Sequence, residues 1–204
     1  NSTPTAGVLH DFIRGGFVEL RRFTSRTNPQ REAYNRALRY LEGKTRWLGF
    51  MDIDEFVYPP VEDSLSDVLQ DYEDYAALAV NWVAYGSSGH SKPPTGWVTE
   101  SFTNRGELGH VVPLPAFADS KASGKEIRYR PMNTHVKCFV DPSRTLFFRT
   151  AHHFRHPPGE YAVNEAFTRV NGPFSDEVSI ERIRVNHYWS KSLEDLDRKL
   201  QKGR

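Results

Sequence analysis

A nearly unbroken apolar run from Ala76 to Tyr85 is the feature that most constrains the fold of this chain. A strand with one face in water alternates polar and apolar residues, whereas a strand covered on both faces does not. The run therefore predicts a central strand that is buried on both sides. A sheet with such a strand needs other elements packed against both of its faces.

Helical and strand patterns alternate around this run. Helices are predicted after the N-cap residues Asn28, Ser64 and Ser192, each of which precedes apolar residues at helical spacing. An earlier helix is predicted to start at Ser2 to Pro4 and to end at Gly15-Gly16. Further strands are predicted over residues 17–20, 47–51, 134–140, 145–150 and 183–188. This order indicates a single α/β domain over residues 1–204, with a parallel or mixed sheet flanked by helices.

Composition excludes several classes of protein. The 204 residues include 27 basic and 26 acidic side chains, so no net field attracts nucleic acid. No apolar run is long enough for a membrane span, and the composition suits a bacterial cytoplasmic domain or a lumenal domain of the Golgi. The single cysteine, Cys138, lies in an apolar strand and is predicted to be a core residue. An α/β domain normally opens with a strand, so we expect this chain to lack its first strand-helix-strand unit.

Two carboxylates, Asp52 and Asp54, follow the apolar segment Trp47 to Met51. Residues i and i+2 of a strand point to the same side, so these side chains are predicted to converge beyond the strand end. Two close carboxylates need a positive neutraliser, and Mg²⁺ or Mn²⁺ is the simplest candidate. Such cations commonly hold a diphosphate. The pattern therefore predicts a metal-dependent enzyme that acts on a nucleotide-linked substrate.

A second copy of the same pattern, Asp195-Leu196-Asp197, has a different context. It lies in a charged stretch with helical spacing, where pairing between residues i and i+4 accounts for both acids. We therefore interpret Asp195 and Asp197 as residues of a solvated helix face.

Other candidate site residues follow from their positions. His187 ends the last predicted strand and is a candidate third metal ligand, the alternative being a hydrogen-bonded structural histidine. Lys191 precedes a helix and is a candidate phosphate contact, the alternative being a surface lysine. Glu100 is the first candidate for a general base because it follows a loop, residues 86–96, that we expect to be flexible and to carry binding functions. Glu165 is the second candidate, and both glutamates have a surface role as the alternative.

The histidine-rich segment from His152 to His156 is a weak candidate for zinc. No second cysteine accompanies it, and Pro157-Pro158 makes a helix that would align His153 with His156 improbable.

Taken together, these motifs resemble glycosyltransferase family 92 and the related family-2-like transferases with the GT-A fold, a Rossmann-like α/β arrangement. The resemblance rests on the segment from Trp47 to Phe56 followed by Pro59, and on the segment from Asn186 to Ser192 followed by Lys199 and Gly203. Gln30 to Asn35 precedes the acidic segment, and Trp82 with Gly86 to His90 follows it, in the same order as in the family. The likeness extends over most of the chain.

The resemblance implies an inverting hexosyltransferase that moves a sugar from a nucleoside diphosphate, with UDP favoured, to a glycan hydroxyl. It also implies Mn²⁺ or Mg²⁺ as cofactor. Asp52 would contact the donor or the metal, Asp54 would bind the metal, and His187 would complete its coordination. The expected partners are a nucleotide-sugar donor and a glycan acceptor. The alternatives are a non-catalytic carbohydrate- or protein-binding module on the same fold, and a metal-dependent phosphoesterase.

Overall fold

The computed structural model describes residues 5–21, 23–24, 27–111 and 130–202. The predicted helix start at residues 2–4 lies outside these ranges. The helices are α1 (Thr5–Val8), α2 (His10–Arg14), α3 (Pro29–Leu41), α4 (Leu65–Gln70), α5 (Val98–Ser101) and α6 (Leu193–Gln201). The strands are β1 (Leu48–Gly49), β2 (Glu55–Tyr58), β3 (Ala77–Ala84), β4 (Val136–Val140), β5 (Phe147–Thr150), β6 (His153–Arg155), β7 (Ala162–Val163), β8 (Arg169–Val170) and β9 (Arg184–His187).

Strand β3 is the centre of a seven-stranded mixed sheet, as the apolar run predicts. It pairs antiparallel with β4 on one edge. On its other edge it pairs in parallel with β7 beside its first residues and with β9 beside its last residues. Strand β1 extends the sheet beyond β4, β2 pairs antiparallel with β9, and β8 pairs antiparallel with β7. Strands β5 and β6 form a separate antiparallel hairpin.

The two faces of β3 carry two separate parts of the core. Ala77 and Ala79 pack with residues of α3 and of the β5–β6 hairpin, whereas Leu78, Val80 and Trp82 pack with residues of α4 and β9. This division follows the alternation of side chains along a strand. The prediction of an α/β fold with a mixed sheet flanked by helices is therefore confirmed. Cys138 is buried in the first cluster, where burial raises the pKa of its thiol to about 12.

The predicted helix starts are confirmed by their capping hydrogen bonds. The Asn28 side chain accepts from the Arg31 N–H at 3.0 Å. Ser64 Oγ accepts from the Asp67 N–H at 3.2 Å, and Ser192 Oγ accepts from the Asp195 N–H, also at 3.2 Å. Each such cap contributes about 1 kcal/mol to helix stability.

Two predictions about the start of the chain are wrong. Residues 17–20 do not form a strand, because the N–H groups of Phe17 and Val18 both donate to the carbonyl of Phe12. The Phe17 side chain is 84% exposed, so it has no core contact that would hold a strand in place. The single predicted helix is divided at Leu9 into α1 and α2, although it ends before Gly15-Gly16 as expected.

The loop over residues 86–96 is more constrained than the sequence suggests. The Leu193 N–H donates to the His90 carbonyl and the Glu194 N–H donates to the Ser91 carbonyl, both at 3.1 Å. The loop is thus held against the first turn of α6. None of the helices in the described ranges combines the length and the apolar character that crossing a bilayer requires.

Candidate functional site

Asp52 and Asp54 lie in a turn between β1 and β2, and not on a strand as predicted. The Glu55 N–H donates to the Asp52 carbonyl at 3.0 Å, which closes the turn, and Ile53 at its tip is 97% exposed. Both aspartates nevertheless contribute to one cleft of about 450 Å³. Asp52 and Asp54 therefore line the same cleft because of this turn, and not because they are alternate residues of a strand. The cleft is lined by Asp52, Asp54, Trp82, His152, His187, Trp189, Lys199 and Lys202.

Asp52 is neutralised by a lysine from β4. The Nζ atom of Lys137 lies 2.8 Å from Asp52 Oδ2 and 3.1 Å from Glu55 Oε2. The Lys137 and Glu55 side chains are fully buried, whereas that of Asp52 is 47% exposed. Burial would lower the pKa of Lys137, but the charges of Glu55 and Asp52 outweigh it and raise that pKa. Burial raises the pKa of Glu55 despite the opposing attraction of Lys137.

Asp54 is paired with a lysine of α6. Lys199 Nζ donates to Asp54 Oδ2 at 2.9 Å and to the Trp189 carbonyl at 2.7 Å. Burial acts to raise the pKa of Asp54, but the hydrogen bond and charge of Lys199 outweigh it, so this pKa is lowered. Two lysines, Lys137 and Lys199, thus provide positive charge beside the two aspartates, where the sequence pattern predicted a metal ion.

His187 faces Asp54 from the end of β9. Its ring is buried, and its Nε2 atom lies 3.8 Å from Asp54 Oδ1, beyond hydrogen-bonding distance. Burial lowers the pKa of His187 to about 3, so the imidazole is neutral near pH 7. Among the described residues, its Nδ1 atom has no hydrogen-bond partner. A neutral imidazole nitrogen and a carboxylate oxygen thus face each other across a short gap.

His152 is a cleft residue that the sequence argument did not select. Its Nδ1 atom lies 2.9 Å from the Val136 carbonyl oxygen, and its ring centre lies 5.0 Å from that of Trp82. Burial lowers the pKa of His152 to about 4. The centre of the same Trp82 ring lies 4.1 Å from the centre of the His187 ring. The only local signal was membership of the histidine-rich segment, whose other two histidines line a different cavity.

The remaining predicted site residues lie outside the lining of this cleft. Lys191 adopts a positive φ of 51° before α6, and its charge helps to lower the pKa of Asp54. Glu100 is exposed on the four-residue helix α5. Glu165 is buried and accepts hydrogen bonds from Ser179 Oγ and from three backbone N–H groups of residues 181–183. Both of its oxygens are occupied in holding that segment, so Glu165 has a structural place in the fold.

Two possible ligand atoms of the cleft are spaced as a divalent cation requires. Asp54 Oδ1 and His187 Nε2, 3.8 Å apart, are close enough for one ion to contact both at about 2.1 Å. In the described part of the chain, no three His, Cys, Asp or Glu side chains are arranged to hold an ion by themselves. Mg²⁺ characteristically takes only one or two protein ligands and completes its shell with water and phosphate oxygens. The cleft thus offers the small number of protein ligands that Mg²⁺ takes, through Asp54 and His187.

Comparison with known proteins identifies the class to which this fold and cleft belong. Residues 2–171 match glycosyltransferase family 92, and the chain therefore belongs to that family. The expected membership of glycosyltransferase family 92 is confirmed.

Two relatives show the same relationship over shorter stretches. A galactan beta-1,4-galactosyltransferase of Arabidopsis thaliana is 26% identical over 110 residues, which cover 48% of this chain and 22% of the relative. A glycosyltransferase family 92 protein of Oryza sativa subsp. japonica is 39% identical over 62 residues, which cover 29% of this chain and 11% of the relative. The matched stretches are thus minor parts of both relatives.

Proposed function

We propose that the cleft binds a nucleoside diphosphate sugar with a divalent cation, and that the chain takes part in transfer of the sugar to a glycan hydroxyl with inversion. The observation that carries this proposal is the facing pair of Asp54 Oδ1 and neutral His187 Nε2. Family membership supports a sugar substrate, and the relative named as a galactosyltransferase supports a hexose. UDP as the carrier is part of our proposal and rests on the resemblance of the sequence motifs. The mixed sheet is compatible with the GT-A class.

In this proposal Asp54 and His187 hold the cation, which would be Mn²⁺ or Mg²⁺, and Asp52 contacts the donor or the cation through its exposed carboxylate. The cation would offset the negative charge that develops on the diphosphate leaving group. Lys199 and Lys191, which already act on Asp54 electrostatically, add positive charge near that group. Lys137 fixes the turn by binding Asp52 and Glu55 together.

The acceptor hydroxyl needs a proton acceptor in this reaction. Glu100 remains our proposal from the sequence, and it requires an acceptor that extends from the cleft toward α5. Asp52 is a second candidate because it lines the cleft and is about half exposed. No catalytic role is proposed for Glu165. Transfer assays on Glu100→Gln decide between the two. If Glu100 is the base, kcat should fall while donor binding is retained, and if Asp52 is the base, kcat should stay near the wild-type value.

Calorimetric titration with UDP, GDP and dTDP, with and without Mn²⁺, tests donor and metal binding directly. We expect UDP to bind in the presence of Mn²⁺, and Asp54→Asn to weaken that binding by about 100-fold because a first ligand is lost. Asp197→Asn is the matched control, since it makes the same change in the other Asp-x-Asp copy and should leave binding unchanged. Metal-independent UDP binding, or equal effects of the two variants, would contradict the proposal.

A non-catalytic carbohydrate-binding module is the second candidate. The observation in its favour is that Lys137 and Lys199 pair with Asp52 and Asp54, so that the chain itself supplies counter-charges for both carboxylates. This reading predicts that glycans bind with the same affinity with and without Mn²⁺, and that no UDP binding is detected. The same titrations, extended to neutral oligosaccharides, decide between the two functions.

A further inference from the structure

A second cavity, of about 220 Å³, lies between the β5–β6 hairpin and strands β7 and β8. It shares no lining residue with the Asp52–Asp54 cleft, but the two are adjacent along the chain. His152 lines the cleft and His153 lines the cavity. Cys138, which also lines the cavity, donates from its thiol to the His152 carbonyl at 3.1 Å. We name this cavity the hairpin pocket.

The hairpin pocket is strongly basic in a chain whose charges almost cancel. Arg149, Arg155 and Arg169 line it together with His153 and His156. Among the residues that the structure describes, the one acid in its lining is Glu160, which is paired with Arg144 at 2.5 Å. Within the described ranges, Arg149, Arg155 and Arg169 form no ion pair. Unneutralised positive charge in a concave surface concentrates potential and attracts anions.

Arg169 is held in an orientation that leaves donors free. Its Nε atom donates to Asn171 Oδ1 at 3.3 Å, and its guanidinium carbon lies 4.8 Å from the centre of the Tyr161 ring. The two terminal NH₂ groups of a guanidinium fixed in this way can bind two oxygens of one carboxylate or sulfate. The pKa of His153 is lowered by burial and then by the charge of Arg149, which is consistent with a positive potential in the pocket.

We propose that the hairpin pocket binds an anionic group of a saccharide, either a carboxylate or a sulfate ester. The anionic part follows from the arginines, and the saccharide part rests on the proposed function. The volume suits one charged group and its immediate surroundings, since it is below that of pockets that enclose drug-sized ligands. Pocket residues Cys138 and Phe154 belong to one core cluster and cleft residue Trp82 to the other, so the pocket is a binding site separate from the proposed transfer site.

Binding without a donor or a metal tests this proposal separately from the proposed function. The whole chain is titrated with a uronate-containing disaccharide, a sulfated monosaccharide, a neutral disaccharide, UDP and inorganic sulfate, with amide NMR shifts as the readout. We expect the two acidic saccharides to shift residues 149–156 and 169–172, and the neutral disaccharide to leave them unmoved. Arg149→Gln and Arg169→Gln should each weaken acidic saccharide binding by about 10-fold, as expected for loss of one charge-assisted contact.

Arg39→Gln is the matched control, because it removes the same charge from an exposed position on α3 outside the pocket and should leave affinity unchanged. Equal weakening by Arg39→Gln, or equal shifts from neutral and acidic saccharides, would overturn the proposal. A response to inorganic sulfate or UDP with none to the saccharides would overturn its saccharide part. Acidic saccharide binding by a chain that fails to bind UDP with Mn²⁺ would support the pocket while rejecting the transferase function.

Discussion

The chain contains the same three-residue pattern twice, in Asp52-Ile53-Asp54 and in Asp195-Leu196-Asp197, and the two copies have different surroundings. In the first copy each aspartate is bound by a lysine from a distant element, and a buried histidine faces Asp54. In the second copy Ser192 caps α6 and its hydroxyl donates to the Asp195 carboxylate, which also pairs with Arg198, and Asp197 accepts from Gln201 one turn later. The interpretation as a helix face holds for Asp197, which is exposed, whereas Asp195 is only 26% exposed and its partners, Ser192 and Arg198, are each three residues away.

The comparison shows that spacing alone does not define a site. Both copies have two carboxylates two residues apart in sequence. On α6 the pair points to different sides of the helix, whereas the first pair lines one cleft with partners from three other elements. Partners within one helical turn hold exposed charges that water would also solvate. The carboxylates of the first copy and their neighbours are partly or fully buried, and a buried charge is costly without a partner. Residues of β4, β9 and α6 provide those partners.

The largest effect on stability should come from removing Lys137, the buried lysine that pairs with Asp52 of the first copy. Lys137→Met leaves Glu55 buried without a counter-charge, so we expect the free energy of unfolding to fall by about 3–5 kcal/mol. Urea denaturation measures this change. The double variant Lys137→Met, Glu55→Gln should recover part of the loss because it also removes the buried negative charge. A single-variant loss below about 1 kcal/mol would show that Glu55 is solvated or protonated.

An intermediate effect on stability should come from His152, which lines the cleft of the first copy. The pKa of His152 is lowered by burial from 6.5 to about 4. As the pH falls from 6.5 toward 5, the unfolded chain takes up a proton that the native state does not, so stability decreases. Thermal unfolding between pH 5 and 7.5 measures this decrease in the free energy of unfolding. At pH 5 we expect the decrease to be smaller in His152→Asn than in the wild type by about 1–2 kcal/mol. Parallel pH profiles of wild type and variant would contradict a neutral buried His152.

The smallest effect should come from the second copy. Arg198 is exposed and pairs with Glu194 and Asp195 within one turn of α6. Arg198→Gln should therefore change the free energy of unfolding by no more than about 0.5 kcal/mol, and less at high salt. Urea denaturation at low and high ionic strength measures this. A loss comparable with that of Lys137→Met would remove the distinction between the two copies.

Several elements were predictable because their causes lie within a few residues of each other. The caps at Asn28, Ser64 and Ser192 depend on an N–H group three residues away, and the buried strand β3 depends on its own unbroken apolar character. The strand expected over residues 17–20 was not predictable in this way. Its apolar residues satisfied the local pattern, but a strand also needs a neighbour, and this segment bonds back to α2 instead.

The amino-acid sequence is enough to show that two carboxylates follow an apolar segment, that they need a positive partner, and that His187 ends a strand. The identity of the positive partner depends on the folded chain. Lys137 and Lys199 are 85 and 145 residues from the aspartates that they bind, and β3, β4 and β9 must pair before they meet. Local patterns record the conformation of neighbouring residues, whereas the neutralisation of a buried charge depends on which distant elements the sheet places beside it.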